Sequence, residues 1–567
     1  MKNVVLTALL AISVISANAQ NLINGVVTNK QNEPLSGATI LVKPGNAETV
    51  SNDLGEFVIN GLKEGTYKIK ISYLGYETFQ KTIIVPQSGT IKAQLDKHTF
   101  QTKEIIVSST RATAETPTSQ SNIGIEEIKR REAAQDIPYL LQLTPSVVTT
   151  SDAGAGIGYT GFRIRGTDLN RINVTVNDIP LNDAESHGVF FVNMPDFIES
   201  TNSIQIQRGV GTSSNGAAAF GASVNLQTNQ IELLPYAEIN NAAGSFNTIK
   251  NTVKAGTGLI DGRFAFDARL SRIKSDGFID RATSNLKSFF VSGTYRGEKD
   301  KVRVNVFSGL EKTYQAWEGI PKARLDGDRD AMLLFASLSG YSDEETENLL
   351  NSNSRTFNRY LYENQTDNYQ QDHYQIFYTR NINNNLTANI AYHQTNGFGY
   401  YESYRYNKRL NDFGADTIFL QTDTITRSDI INRKYLDNVF YGGIASVHYN
   451  KGRFDITLGG GMNRYDGKHY GEVLWSAYGT QSFNPTQQYY NNKGTKDDAN
   501  IYMRANIKTT EKLYTYMDVQ YRNIQYKIEG LDDDQRDLTQ NHAYNFFNPK
   551  LGVFVKLSEK ASFYFNN

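Results

Sequence analysis

The feature that most constrains this chain is a run of strands with alternating apolar and polar residues from residue 236 to residue 567, joined by connections that are by turns very short and very long. Phe264, Phe266 and Leu270 fall on one face of an extended segment, whereas Asp267 and Arg269 fall on the other. A period of two residues with one apolar face is typical of a β-strand. The connections between such segments alternate between tight turns, as at 383–384 and 450–451, and long loops. Short turns at one end and long loops at the other are typical of an outer-membrane β-barrel, and a soluble β-sandwich has no reason to sort its loops in this way.

The alternation predicts thirteen strands, and most of them have the roughly 9 to 11 residues that cross a bilayer at a tilt. The predicted strands are 236–243, 248–256, 263–274, 287–297, 301–314, 372–382, 385–395, 437–449, 452–465, 498–508, 513–525, 544–556 and 561–567. The predicted long loops are 315–371, 396–436 and 466–497. The last segment ends in mid-strand, and a barrel that holds a plug has about 22 strands. We therefore expect this barrel to be C-terminally truncated, with roughly 200 further residues in the intact protein at the same strand spacing.

Composition excludes several classes of protein. The chain has no cysteine, so it has no disulfide framework, no thiolate metal site and no cysteine nucleophile. Its 58 basic and 59 acidic residues give no basic surplus for nucleic acid. No apolar run of about 20 residues follows residue 20, which excludes a helical membrane protein. Tyrosines near the strand ends predict an interfacial aromatic girdle; they are Tyr295, Tyr314, Tyr392, Tyr449, Tyr465 and Tyr526.

The first 19 residues have the pattern of a secretory signal peptide. Lys2 precedes an apolar run over 4–15, and Ala17 and Ala19 provide the small residues of a cleavage site before Gln20. The apolar run is too short to span a membrane. We expect cleavage after Ala19 and delivery of the mature chain to the periplasm.

Residues 21–96 contain short strands separated by turn residues, which predicts a small β-sandwich. The segments 34–42, 53–59 and 65–71, closing with Tyr73-Leu74-Gly75-Tyr76, resemble the carboxypeptidase-regulatory-like domain that precedes many outer-membrane receptors. No histidine precedes His98, so the segment has no zinc-binding pair and the resemblance implies no peptidase activity.

Residues 97–121 read as a polar linker with one apolar patch, Glu104-Ile105-Ile106-Val107-Ser108. An exposed β-prone segment of this kind can add itself as a strand to the sheet edge of another protein. In sequence and in position the patch resembles the TonB box of TonB-dependent transporters, which implies that the periplasmic TonB complex is a partner. The alternative is a last strand of the preceding sandwich.

Residues 122–229 carry the most diagnostic landmarks. Short helices are predicted at 123–131 and 137–143, followed by segments that contain Arg163, Arg165, Gly166, Asp178, Arg208 and Gly209. In order and spacing the stretch resembles the plug domain of TonB-dependent transporters, with Asn177-Asp178 where the family often has Asp-Gly. We expect Arg163, Arg165 and Arg208 to pair with lumen-facing carboxylates such as Asp267 or Asp518 and so to hold the plug.

Three plug segments are predicted to face the ligand from below, namely 151–159, 167–171 and 182–191. The candidate ligand contacts in the plug are Asp152, Tyr159, Asn182, Asp183, Glu185, His187 and Phe190. The candidate contacts in the barrel loops are Trp317, Tyr401, Arg405 and Trp475, and His373 and His469 are also placed in or beside outward loops. No cofactor or metal site is expected, because the glycine-rich stretches lack a following Lys-Ser or Lys-Thr and no His-x-x-x-His pair occurs.

The resemblance implies energy-dependent uptake of a scarce ligand across the outer membrane, with outer-membrane lipid and the TonB complex as partners. Aromatic and basic outer walls suit an anionic iron complex such as a ferric siderophore. Glycan or cobalamin import by the same fold is the alternative, and a passive porin or an adhesin is the alternative of another class. No nucleophile and base are assembled in the sequence, so we do not expect an enzyme.

Overall fold

The structure is a computed structural model, and it describes residues 21–567 except 46, 74–75, 87–88, 97–108, 132, 213, 215, 217, 229, 422, 479–487 and 559–560. The predicted signal peptide at 1–19 and the predicted TonB box at 104–108 lie outside the described residues. The chain divides into two compact units, 1–105 and 106–567, and each is described by itself.

The first unit is a β-sandwich, as the turn spacing predicts. One sheet has the order β4-β1-β7 and the other has the order β3-β2-β5-β6. Ile23 and Phe57 of the first sheet and Ile40 and Ile71 of the second belong to one buried apolar core. The strands are β1 Asn21–Asn29, β2 Thr39–Lys43, β3 Ala47–Val50, β4 Glu56–Leu62, β5 Gly65–Ser72, β6 Phe79–Val85 and β7 Ile91–Leu95.

The second unit begins with an α/β plug. Its main sheet is mixed, with the order β12-β11-β14-β13-β8, and β9 pairs with β10 beside it. The strands are β8 Ser119–Gly124, β9 Val147–Ser151, β10 Thr160–Ile164, β11 Ile172–Val176, β12 Ile179–Pro180, β13 Thr201–Arg208 and β14 Ala222–Thr228. The helices are α1 Ile125–Arg131 and α2 Ile137–Leu141, with 3-10 turns at Leu169–Arg171, Phe191–Asn193 and Phe197–Ser200. The first helix therefore starts two residues later than predicted, because Ile123 and Gly124 pair with β13.

All thirteen predicted barrel strands are present, and they form one antiparallel sheet in chain order. The strands are β15 Tyr236–Gly244, β16 Thr248–Gly256, β17 Phe264–Ser275, β18 Ser284–Arg296, β19 Asp300–Tyr314, β20 Thr366–Asn383, β21 Leu386–Arg409, β24 Arg427–Lys451, β25 Phe454–Ser476, β26 Gln488–Lys508, β27 Leu513–Gly530, β28 Gln540–Lys556 and β29 Ser562–Asn566. The two short strands β22 Ile418–Phe419 and β23 Thr424–Ile425 pair with each other in the connection between β21 and β24.

The predicted alternation of faces is confirmed in the sheet. Phe266 and Leu270 of β17 are 52% and 65% exposed on the outer face, whereas Arg269 between them is 3% exposed. The inner face contacts the plug along the whole sheet, from Asn240 on β15, which donates to Glu199, to Asn566 on β29, which donates to the carbonyl of Pro117. The sheet is therefore a wall that encloses the plug.

The strands extend further toward the long-loop end than predicted, and the loops are shorter. The predicted loops 315–371 and 396–436 reduce to 315–365 and 410–426, and within the predicted loop 466–497 β25 continues to Ser476 and β26 begins at Gln488. Tyr401, Arg405 and Trp475 consequently lie on β21 and β25 and not in loops, and His373 and His469 lie on β20 and β25. Backbone pairing continues to Arg409 opposite Arg427, beyond the point where apolar alternation ends.

The connection between β19 and β20 is largely helical. It contains α3 Lys322–Asp326, α4 Arg329–Leu338 and α5 Asp343–Asn351. Asp328 caps α4 by accepting from the backbone N–H of Ala331, and Ser342 and Glu345 form a capping box on α5. Within the described part of the chain, no helix is long and apolar enough to cross a membrane.

Candidate functional site

A buried ion cluster attaches the plug to the first strands of the wall. Lys250 Nζ lies 2.7 Å from Asp196 Oδ1 and 2.9 Å from Glu199 Oε1, and these three side chains are at most 3% exposed. Lys254 adds a 2.8 Å contact with Glu199, and the guanidinium of Arg269 donates to the carbonyl of Asp196. The hydroxyls of Thr252 and Ser271 also donate to Asp196. Every charge in the cluster therefore has partners, which is the condition for keeping ions buried.

For Arg163 and Arg208 the predicted pairing with wall carboxylates is wrong. Arg163 pairs with Asp168 inside the plug at 2.9 Å, and Arg208 donates to the carbonyl of Pro145 and to serine hydroxyls of β8. On the wall, Asp267 accepts from the Tyr236 hydroxyl at 3.0 Å. The plug contributes carboxylates and the wall contributes cations, the reverse of the expectation.

The residues that follow the predicted TonB box are bound inside the plug. Asp178 accepts from the backbone N–H of Ser109 at 2.9 Å and from the Thr110 hydroxyl at 2.5 Å. Arg504 of β26 donates to the carbonyl of Ser109 at 3.0 Å. Asn177 and Asp178 both have positive φ, at 52° and 69°, in the turn that joins β11 to β12. Asn and Asp tolerate this conformation, which explains why they can replace the usual Asp-Gly.

A cavity of about 590 Å³ lies between the plug segment 180–194 and the inner face of the wall. Of the predicted contacts, Tyr159, Asn182, Asp183, Glu185, Phe190 and Tyr401 line it. Further tyrosines come from the wall, namely Tyr369, Tyr400, Tyr435, Tyr465, Tyr490 and Tyr526. The expected aromatic surface is thus present, but the expected basic surface is not. Among the described residues that line the cavity, six are acidic and one is a lysine.

Most of these carboxylates already have hydrogen-bond partners. Asp367 accepts from the Tyr159 hydroxyl, and Asp533 accepts from Lys434. Asp183 Oδ1 accepts from the backbone N–H of Ser186 at 2.7 Å and of Glu185 at 3.1 Å. Burial raises the pKa of Tyr159, so this phenol keeps its proton and donates. The carboxylates therefore shape the cavity and present little free negative charge to it.

Glu185 accepts hydrogen bonds from three side chains of the wall. Its Oε2 accepts from the Tyr465 hydroxyl at 2.8 Å and from His469 Nε2 at 2.7 Å, and its Oε1 accepts from the Tyr526 hydroxyl at 3.2 Å. Lys496 donates to the neighbouring carbonyl of Ala184 at 2.6 Å. Burial by itself raises the pKa of Glu185, but the bonds from His469, Tyr465 and Tyr526 outweigh it and lower the pKa. Glu185 is therefore a carboxylate.

The remaining predicted contacts lie outside the cavity lining. His187 and Asp152 are exposed in plug loops, and His187 Nε2 lies 3.1 Å from Lys496 Nζ. Trp317 packs edge-on against Tyr159 and Tyr401, with ring centroids 5.7 and 5.5 Å apart. Trp317 therefore contacts two residues of the lining and does not itself line the cavity.

Sequence reasoning missed Tyr465, His469 and Tyr526 as parts of the site, because it assigned the tyrosines to a girdle and the histidine to a loop. A signal was available for Tyr465. Leu458 and Met462 are exposed on the outer face of β25, so the odd-numbered Tyr465 has to face the plug.

A plug enclosed by an antiparallel wall, with a cavity between plug loop and wall, defines the class of plugged barrel receptors. Two family models match the sequence: residues 112–223 match the TonB-dependent receptor plug domain, and residues 23–107 match the CarboxypepD_reg-like domain. The resemblances of residues 21–96 and 122–229 to these two domains are thus confirmed. The chain has the fold of TonB-dependent receptors with an N-terminal carboxypeptidase-regulatory-like domain. A search of curated protein sequences found no match.

Three solved structures with a similar fold are iron-complex receptors by their titles. The ferric-catecholate import receptor Fiu from E. coli K12 in its open form is 17% identical over 80% of this chain and 70% of its own, with a TM-score of 0.59. The ferric yersiniabactin uptake receptor FyuA from Yersinia pestis is 11% identical over 81% and 66%, with a TM-score of 0.56. The ferripyoverdine receptor of Pseudomonas aeruginosa is 11% identical over 87% and 65%, with a TM-score of 0.59. The chain therefore spans about two thirds of the length of these receptors.

Proposed function

We propose that this protein is a TonB-dependent receptor of the outer membrane that takes up a scarce ligand, most simply an iron complex such as a ferric siderophore. The observation that carries the proposal is the cavity between the plug loop 180–194 and the wall. A volume of about 590 Å³ lies within the range of small-molecule sites, which are concave and aromatic with a few fixed polar groups.

We propose the following division of labour along the chain. Residues 1–19 export the protein, 21–96 form the periplasmic sandwich, 97–121 carry the TonB box, 122–229 form the plug and 236–567 form the barrel wall. The box at 104–108 recruits TonB by strand addition, and the hydrogen bonds of Ser109 and Thr110 to Asp178 pass the pull into the plug.

Two alternatives are compatible with parts of the site. The tyrosine-rich lining would also stack on sugars, which keeps glycan import open, and cobalamin import follows it. A passive porin or an adhesin is disfavoured, because the plug contacts the wall from β15 to β29 and a porin needs an open lumen.

A ligand screen in cells tests the proposal. The full-length protein is expressed in a strain that lacks its other iron receptors, and growth is scored with ferric chelates, oligosaccharides and cobalamin as scarce nutrients. Rescue by at least one ferric chelate is expected. Rescue by an oligosaccharide or by cobalamin, with none by any chelate, would replace the iron proposal by the corresponding alternative.

Deletion of 104–108 separates binding from energy coupling. The deletion should abolish uptake and leave ligand binding to cells nearly intact, because the segment precedes the plug in the sequence. A deletion of the same length at 112–116, within the bound segment, serves as a comparison that should also disturb the plug. Unchanged transport after deletion of 104–108 would refute the role of the box.

A further inference from the structure

The three donors that hold Glu185 come from two strands of the wall. Tyr465 and His469 lie on β25, and Tyr526 lies on β27. Their hydroxyl and imidazole groups converge on one carboxylate at 2.7 to 3.2 Å. Each of these wall groups donates to the carboxylate, and the acceptor comes from the plug. The wall alone is therefore a cradle of donors, which is complementary to an anion.

The backbone around the cradle makes room for a carboxylate. Gly494 lies on β26, between the two donor strands in the sheet. A Cβ added at Gly494 would lie 2.2 Å from Glu185 Oε1, so any larger residue would collide with the bound oxygen. The ammonium group of Lys496 lies on the same strand and donates to the carbonyl of Ala184 at 2.6 Å, which adds positive charge beside the cradle.

The carboxylate that fills the cradle belongs to a surface loop of the plug. Glu185 lies in the segment between β12 and the 3-10 turn at Phe191–Asn193, and the backbone of its neighbours is turned by Asp183. Glu185 reaches the wall as a side chain with three rotatable bonds, so it can leave the cradle without unfolding of either partner.

We propose that Tyr465, His469 and Tyr526 form an anion-binding subsite that Glu185 occupies when no ligand is bound, and that a carboxylate of the ligand replaces Glu185 there. The proposal rests on the proposed function in one respect, that the ligand enters this cavity. A ligand carboxylate would take over the same three hydrogen bonds, so the exchange preserves their number. The ligand class is thus a complex with at least one free carboxylate.

Because Glu185 competes with the ligand, the apparent dissociation constant equals the intrinsic one divided by the fraction of time that the cradle is empty. Removal of the competitor should therefore increase affinity for a carboxylate-bearing ligand, by about tenfold or more if the cradle is filled over 90% of the time. An ordinary contact residue would show the opposite sign, because its removal weakens binding.

The first experiment needs no knowledge of the natural ligand. The full chain with Glu185→Ala is purified in detergent, and its thermal melting is measured in sodium acetate and in sodium chloride at equal ionic strength. Acetate should stabilise Glu185→Ala and have no specific effect on the parent or on Glu347→Ala, a control at an exposed carboxylate of α5. Adding His469→Ala to Glu185→Ala should remove the acetate effect.

If Glu185→Ala does not fold, Glu185→Gln keeps the size of the side chain. Acetate should displace the neutral amide of the new side chain from the cradle. It should stabilise this variant less than it would stabilise a folded Glu185→Ala. Absence of any acetate-specific effect in the folded variant would overturn the subsite.

The second experiment uses ferric citrate, which carries carboxylates, and a ferric trihydroxamate chelate, which has none. Glu185→Ala should bind ferric citrate at least tenfold more tightly than the parent and bind the trihydroxamate no better. Acetate stabilisation without binding of any chelate would support the subsite and refute the iron proposal. Equal chelate binding by parent and variant, with no acetate effect, would refute the subsite and leave the receptor proposal standing.

Discussion

Replacement of Lys250 by methionine tests whether the buried ion cluster anchors the plug. The change removes two contacts, of 2.7 Å to Asp196 and 2.9 Å to Glu199, and leaves both carboxylates buried. Loss of one partner of a buried ion pair costs about 3 to 5 kcal/mol, since the other charge stays in a low-dielectric site. Asp196 keeps the hydroxyls of Thr252 and Ser271, and Glu199 keeps Lys254, so the lower end, about 3 kcal/mol, applies.

The loss of this free energy weakens the attachment of the plug to β16 and β17. Amide hydrogen exchange in the plug measures the loss directly. About 3 kcal/mol corresponds to roughly a 100-fold rise in exchange rate, at about 1.4 kcal/mol for each tenfold. The rise is expected in the plug at 196–204 and not in the N-terminal sandwich. Lys274→Met, at an exposed lysine of β17, is the matched control and should leave exchange unchanged. Exchange of 196–204 in Lys250→Met within threefold of the parent would refute the anchor.

Three further outcomes are expected. Burial raises the pKa of Asp136 to about 7, so its contribution to plug stability is fully present below pH about 4 and is lost as pH rises through 7. Asp136→Asn should flatten the pH dependence of the melting temperature between pH 4 and 8. An unchanged pH dependence in this variant would contradict the prediction. Asp178→Ala removes the acceptor for Ser109 and Thr110 and should raise hydrogen exchange of 109–112 by about tenfold, whereas no change would show that the remaining hydrogen bonds, among them those from Arg504 and Gln207, hold the segment. Phe190→Ala should weaken ligand affinity by about 1 to 3 kcal/mol in a binding titration, because Phe190 lines the cavity, and unchanged affinity would place the contact on the wall around Tyr401.

The sequence predicts the strands well where they border an apolar layer, because alternation is then enforced on every second residue. All thirteen barrel strands were predicted for this reason. The extensions of these strands toward the long-loop end were not predicted. Beyond the apolar layer both faces of β21 and β24 can be polar, while backbone pairing continues to Arg409 and Arg427. Hydrophobic periodicity therefore reports the width of the apolar layer and not the length of the strand.

The site was predicted in its plug half and largely missed in its wall half. The plug loop is one continuous segment, so Asn182, Asp183 and Glu185 could be grouped by position alone. The wall donors Tyr465, His469 and Tyr526 are up to 61 residues apart, and only strand register places them together. The polarity of the ion cluster was missed for a similar reason. The prediction used arginines that stand in recognisable sequence landmarks of the plug. Lys250 and Arg269 become neighbours of Asp196 only in the folded sheet.

The plug is attached unequally on its two sides. Toward β16–β19 it is held by buried ion pairs and by Phe197, whose ring packs 5.0 Å from that of Phe307. Toward β25–β28 it is held by hydrogen bonds from Lys496, Arg504 and Lys550 to backbone carbonyls, two of them from Arg504, and by Glu185, which we propose to be exchangeable. Under tension we expect the contacts with β25–β28 to break before those with β16–β19. The plug should then rotate about its attachment to β16–β19, and a passage should open along the inner face of β25–β28.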